Sequence, residues 1–142
     1  DHVIVGPSGV FAVETKARRK PRTKDPSHDA KVRFDGRALS FPNWTETQPI
    51  DQAIRQAKWL ATWLSKAVGQ NVSVRAMLAL PGWYVELTSR NGIWVGNPKM
   101  IKHFFSKIKV SQLSDSQIQA ICHQLTQKCQ DVEPQVSVYY DK

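Results

Sequence analysis

The chain is 142 residues long, 41% hydrophobic and 23% charged, the size and composition of one globular domain with a core of its own. Nothing in it approaches the roughly 18 consecutive apolar residues of a membrane span, and no basic stretch followed by an apolar one marks a secretory leader, so a cytoplasmic setting is expected. The net charge of +8 is gathered in one place: between Lys16 and Arg37 stand nine basic residues against three acids, the footprint of a polyanionic partner, with nucleic acid the leading candidate.

His2 to Val5 and Val10 to Thr15 are short β-branched and aromatic runs around Gly6-Pro7-Ser8-Gly9, which predicts a hairpin. A symmetric turn sets its register, so paired positions sum to 15 and Asp1 falls opposite Glu14. Because the strand pattern starts at the first residue, the natural N-terminus is expected upstream. The basic segment leads into a second hairpin, Lys31 to Phe34 and Arg37 to Phe41, across the two-residue turn Asp35-Gly36. Pro49 opens and Gly69 ends an amphipathic helix over 49–68, with Ile50, Ala53, Ala57, Leu60 and Leu64 at helical spacing. Val72 to Leu80 reads as a buried strand, and Trp83 to Thr88 and Ile93 to Val95 as shorter strands around Asn91-Gly92. Lys99 to Lys107 predicts a short helix, and Ser114-Asp115-Ser116-Gln117 is a capping box for another, carrying Ile118, Ile121, Cys122, Leu125 and Cys129 on one face. This order predicts an α/β fold, a central mixed β-sheet flanked by helices. Residues 1–108 form its core (hairpin 1–16, basic hairpin segment 17–45, helix 49–68, strands 72–96, helix 98–108), and 109–142 a C-terminal helical extension of the same domain.

Cross-strand partners have Cβ atoms about 4.5–5.5 Å apart, so Asp1 and Glu14 could share one divalent cation, and Lys16 projects from the same face as Glu14. Such charges at the end of a buried hairpin are costly without a function. Mg²⁺, with Mn²⁺ expected to substitute, would relieve the carboxylate repulsion, bind a phosphate oxygen and lower the pKa of a coordinated water. Lys16 would orient or help deprotonate that water, or neutralise charge developing on the phosphorane. The plainer alternative is an ordinary ion pair between Glu14 and Lys16. Arg18, Arg19, Lys20, Arg22 and Lys24 follow directly, placed for backbone phosphates unless they are only a solvated loop. Trp59 and Trp63, one helical turn apart, either stack on bases or pack against the protein. Cys122 and Cys129 would lie about 10.5 Å apart along a helix axis, beyond disulfide reach, and no further residues stand at zinc-ligand spacing.

The opening run, Asp1-His-Val-Ile-Val-Gly-Pro-Ser-Gly-Val-Phe-Ala-Val-Glu-Thr-Lys, resembles the core motif of the nuclease-related domain, NERD, a branch of the PD-(D/E)XK nuclease superfamily close to Mrr-like restriction endonucleases. Gln48-Pro49-Ile50-Asp51-Gln52 is similar to the family's helix start, and Val74-Arg75-Ala76-Met77-Leu78-Ala79-Leu80-Pro81-Gly82 to its next core strand. The resemblance implies a restriction-endonuclease-like core, here lacking its first helix and strand. It implies a Mg²⁺-dependent nuclease, endonuclease favoured, acting on nucleic acid, DNA favoured. Asp1, Glu14 and the backbone carbonyl of Thr15 would be metal ligands, Lys16 the catalytic lysine, and Gln52 the helix residue that completes the site. Gln56, one turn on, shares the face of Gln52 and is a secondary candidate. The alternative is a non-catalytic nucleic-acid-binding or interaction module of a larger protein, and oligomerisation is left open.

Overall fold

The computed structural model describes residues 2–20, 30–89, 92–108, 111–131 and 137–140. Strands β1 (His2–Gly6) and β2 (Gly9–Thr15) form the expected hairpin, with pairs running from Gly6↔Gly9 to His2↔Val13, each summing to 15. Gly9 has φ +129°, a backbone conformation that a side chain would strain, which is why the turn falls there. β2 then pairs in parallel with β6 (Val74–Ala79), and β6 in parallel with β8 (Ile93–Gly96). With β9 spanning Ser137–Tyr140, the sheet order is β8-β6-β2-β1-β9, which makes β2 the central strand.

A second sheet has the order β5-β4-β3-β7, built from β3 (Lys31–Phe34), β4 (Leu39–Ser40), β5 (Thr45–Glu46) and β7 (Tyr84–Leu87). Helix α1 (Gln48–Val68) joins the two sheets through its buried stripe. Ile50, Ala53 and Ala57 pack with Leu78, Leu80, Phe34, Leu39 and Trp83, while Leu60 and Leu64 pack with Val3, Val5 and Val10. Pro49 stands in the first turn, and Gly69, with φ +74°, closes the helix by donating its N–H to the Ser65 carbonyl. The opposite face of the first sheet packs on α2 (Ile101–Ser106), which follows a 3-10 turn (Pro98–Met100), and Phe105 meets Phe11 edge-on at 4.8 Å between ring centroids. Helix α3 (Asp115–Asp131) lays Ile121, Cys122 and Leu125 on the Leu60 and Leu64 cluster. Its capping box forms as expected: Ser114 Oγ accepts from the Gln117 N–H at 3.2 Å, and Gln117 Oε1 accepts from the Ser114 N–H at 2.8 Å. The architecture is α/β with mixed sheets flanked by helices, consistent with a restriction-endonuclease-like core.

Two expectations are corrected. Asp35-Gly36 is not a two-residue turn: Phe34 pairs with Leu39, so residues 35–38 make a longer loop and Arg37 stays outside the strand. The cause is the Asp35 carboxylate, which accepts from the N–H groups of Arg37 at 2.9 Å and Ala38 at 2.7 Å and so closes a wider turn. The two strands expected around Asn91-Gly92 form as β7 and β8, and they sit in different sheets, β7 along β3 and β8 along β6. The segment 109–142 is not all helical: β9 (Ser137–Tyr140) runs parallel to β1 and gives the hairpin a neighbour on its outer edge. An edge strand exposes unpaired N–H and C=O groups, and a β-branched and aromatic segment satisfies them better as a strand than as a helix.

Candidate functional site

Alternation along β2 puts Val10, Ala12 and Glu14 on the side covered by α1, and Phe11, Val13 and Thr15 on the side covered by α2. Glu14 is therefore a carboxyl on the helix-covered side of the central strand. It is 4% exposed and the one buried charged side chain among the described residues. The backbone pairing continues past it, since the Lys16 N–H donates to the Ala79 carbonyl at 3.1 Å. This holds Lys16 on the strand with its side chain on the Glu14 face, where Nζ lies 3.4 Å from Glu14 Oε1. The pair is asymmetric, for the Lys16 side chain is 25% exposed and that of Glu14 only 5%. One end is anchored in the core and the other opens to solvent, an arrangement suited to receiving an anion from outside.

Thr15 pairs with Ala79 between them, so its backbone is part of the same strand end. Gln52 is half-buried in the first half of α1, between the core residues Ile50 and Ala53, and Gln56 is exposed one turn later. Ile50 and Ala53 share a cluster with Leu78, the register partner of Glu14, so Gln52 stands at the same end of the sheet as the Glu14–Lys16 pair. Asp1 lies outside the described residues. Among the described residues no group of three or more His, Cys, Asp or Glu is arranged to hold a metal ion. The donor set they do supply, one buried carboxylate with strand backbone beside it, is of the hard oxygen type that suits Mg²⁺.

The basic residues divide. Arg19 and Lys20 are exposed, and the Lys20 side chain rests over Gly82. Arg22 and Lys24 lie outside the described residues. Arg18 is turned inward: its Nε and Nη2 donate to Glu46 Oε2 and Oε1 at 2.8 and 3.1 Å, and Nη1 donates to the Ala17 carbonyl. Trp44 Nε1 adds a donor to Glu46 Oε2 at 3.1 Å. Glu46 was invisible in the sequence as a partner, since it stands 28 residues from Arg18 with no periodic relation to it.

The hydrogen bonds from Arg18, aided by Trp44 and opposed by partial burial, hold the Glu46 carboxyl below its ordinary pKa. A carboxyl lowered in the folded state adds stability that is complete above the unfolded value and is lost as pH falls through the folded one. Glu46→Gln is thus expected to flatten the fall in urea midpoint between about pH 5 and 3, by less than about 1 kcal/mol because the pair is partly solvated. Parallel pH profiles for the two proteins would contradict this.

Comparison with protein families finds that the model of the nuclease-related domain, NERD, matches residues 1–81, from β1 through β6. No curated protein and no solved structure matches the chain.

Proposed function

Because the chain belongs to the nuclease-related domain family, we propose that it is a metal-dependent nuclease that hydrolyses phosphodiester bonds of nucleic acid, DNA favoured. The observation that carries this reading is the buried Glu14 carboxyl on the central strand, paired at 3.4 Å with a lysine that reaches solvent. A core position of this kind is expensive for a charge and adds little to stability, which points to a chemical use. In the proposed site Glu14, Asp1 and the Thr15 carbonyl would hold Mg²⁺ or Mn²⁺, which supplies a Lewis acid and a nucleophilic water at neutral pH. Lys16, at the open end of the pair, meets the scissile phosphate, neutralises charge that builds on its oxygens and orients the attacking water. Gln52 closes the site from α1. Arg19 and Lys20 bind flanking phosphates without reading sequence. A cytoplasmic location and, within the same reading, endonucleolytic cleavage are expected.

The test is cleavage of labelled single- and double-stranded DNA and RNA with Mg²⁺ or Mn²⁺, comparing the chain with Lys16→Ala. Metal-dependent cleavage that drops by on the order of 10²–10³-fold in the variant is the expected result. Equal cleavage by both proteins would remove Lys16 from the chemistry. The exposed cations favour a second reading, a module that binds nucleic acid without cutting it: no cleavage by either protein, with binding that weakens steeply as salt rises, would select it.

A further inference from the structure

We infer that the outer stripe of helix α1 is a stacking platform for single-stranded nucleic acid, centred on Trp59, an inference that rests on the nuclease reading for the direction in which the strand runs. Trp59 is 59% exposed, although the buried stripe of α1 is complete without it in Ile50, Ala53, Ala57, Leu60 and Leu64. Its ring lies within 13° of parallel to that of Trp63, with centroids 6.5 Å apart, and the Lys128 ammonium of α3 stands 5.6 Å from the Trp63 centroid. The two indoles are therefore stacked near-parallel, with the exposed Trp59 ring at one end and a cation over the Trp63 ring.

Gln52, Gln56, Trp59 and Trp63 follow one another at intervals of four, three and four residues, which is a single line along a helix. The line begins at the Glu14 end of the sheet and reaches Trp59 about 10.5 Å further along the axis. Arg55 and Lys66, four residues before and seven after Trp59, flank it, and the acid on α1 is Asp51 alone. Aromatic faces bordered by cations suit bases joined by phosphates. An apolar protein partner would meet charged and amide side chains around the rings, and a second copy of a chain with net charge +8 would set like charge against like. A duplex keeps its base faces inside its own stack, so the platform discriminates for single strands. A strand whose phosphate sits by Glu14 and Lys16 thus lays its neighbouring bases along the tryptophans.

The experiment is titration of the chain, in EDTA so that nothing is cut, with a labelled oligothymidylate and with a duplex of equal length, reading anisotropy and tryptophan fluorescence. Trp59→Ala is expected to weaken single-strand binding by roughly 5- to 100-fold, with Trp59→Phe recovering most of it and duplex affinity unchanged. Because Trp59 lies outside the core, the melting temperature of the variants should match the parent. Single-strand affinity unaltered in Trp59→Ala, or an equal loss for single strand and duplex, overturns the platform and leaves the cleavage reading standing. No binding of either nucleic acid by the parent chain overturns the platform, while cleavage with Mg²⁺ decides the nuclease reading separately. A parent dimer that Trp59→Ala converts to monomer identifies the stripe as a contact between copies and likewise overturns the platform.

Discussion

Glu14→Gln is expected to reduce metal-dependent cleavage by on the order of 10²–10³-fold while leaving stability within about 1 kcal/mol of the parent. The two halves of this expectation have separate causes. Glutamine keeps the shape of the side chain but gives up the negative charge, and with it the power to hold a hard cation against a phosphate. Removing one partner of a buried ion pair usually costs about 3–5 kcal/mol because the other charge is stranded in the core. Here the remaining charge is Lys16, whose side chain is 25% exposed and can turn to water, so that penalty is largely avoided. Cleavage assays beside urea denaturation of the same samples check both halves. Cleavage at the parental level would take Glu14 out of the site. A loss of activity accompanied by several kcal/mol of destabilisation would instead mark Glu14 as a structural residue.

Trp83→Ala carries the largest expected effect on folding, about 3–5 kcal/mol, a large share of the 5–15 kcal/mol typical of a whole domain. Trp83 is fully buried where the two sheets meet α1. Its ring meets Phe41 edge-on at 4.9 Å and Trp44 at 6.4 Å. Its Nε1 donates to the Arg18 carbonyl at 3.3 Å, and its own carbonyl accepts from Asn97 Nδ2 at 3.3 Å. The alanine variant loses the packed volume and the link between the segment after β2 and the second sheet. Trp83→Phe restores most of the volume but not the indole donor, so it should cost about 1–2 kcal/mol. Urea midpoints at unchanged slope measure both, and a change below about 1 kcal/mol in Trp83→Ala would show that the core closes over the gap.

The Glu14–Lys16 pair was legible because its two residues are neighbours in sequence. Glu14 and Lys16 share a strand face by the two-residue repeat, and no long-range contact is needed to bring them together. The surroundings of the basic and aromatic residues were less so. Arg18 reads in sequence like Arg19 and Lys20, yet Glu46 and Trp44 draw it inward. Trp59 and Trp63 read alike as well, one turn apart on a helix. Only the docking of α3, which brings Lys128 over Trp63, separates the half-buried ring from the exposed one.

By itself the sequence determined what is local: the register of the first hairpin, the limits of α1 between Pro49 and Gly69, and the capping box of α3. Each is set by dihedral preferences and side-chain periodicity over a few residues. The tertiary structure alone decided the partners of strands distant in the chain. It paired β3 with β7 rather than β7 with β8, brought β9 to the edge of β1, and placed β2 at the centre of its sheet so that Glu14 is buried. No turn ties such strands to one another. Their pairing follows from which arrangement buries the apolar faces of the two sheets and α1 together while satisfying the strand edges, a property of the whole chain rather than of any segment.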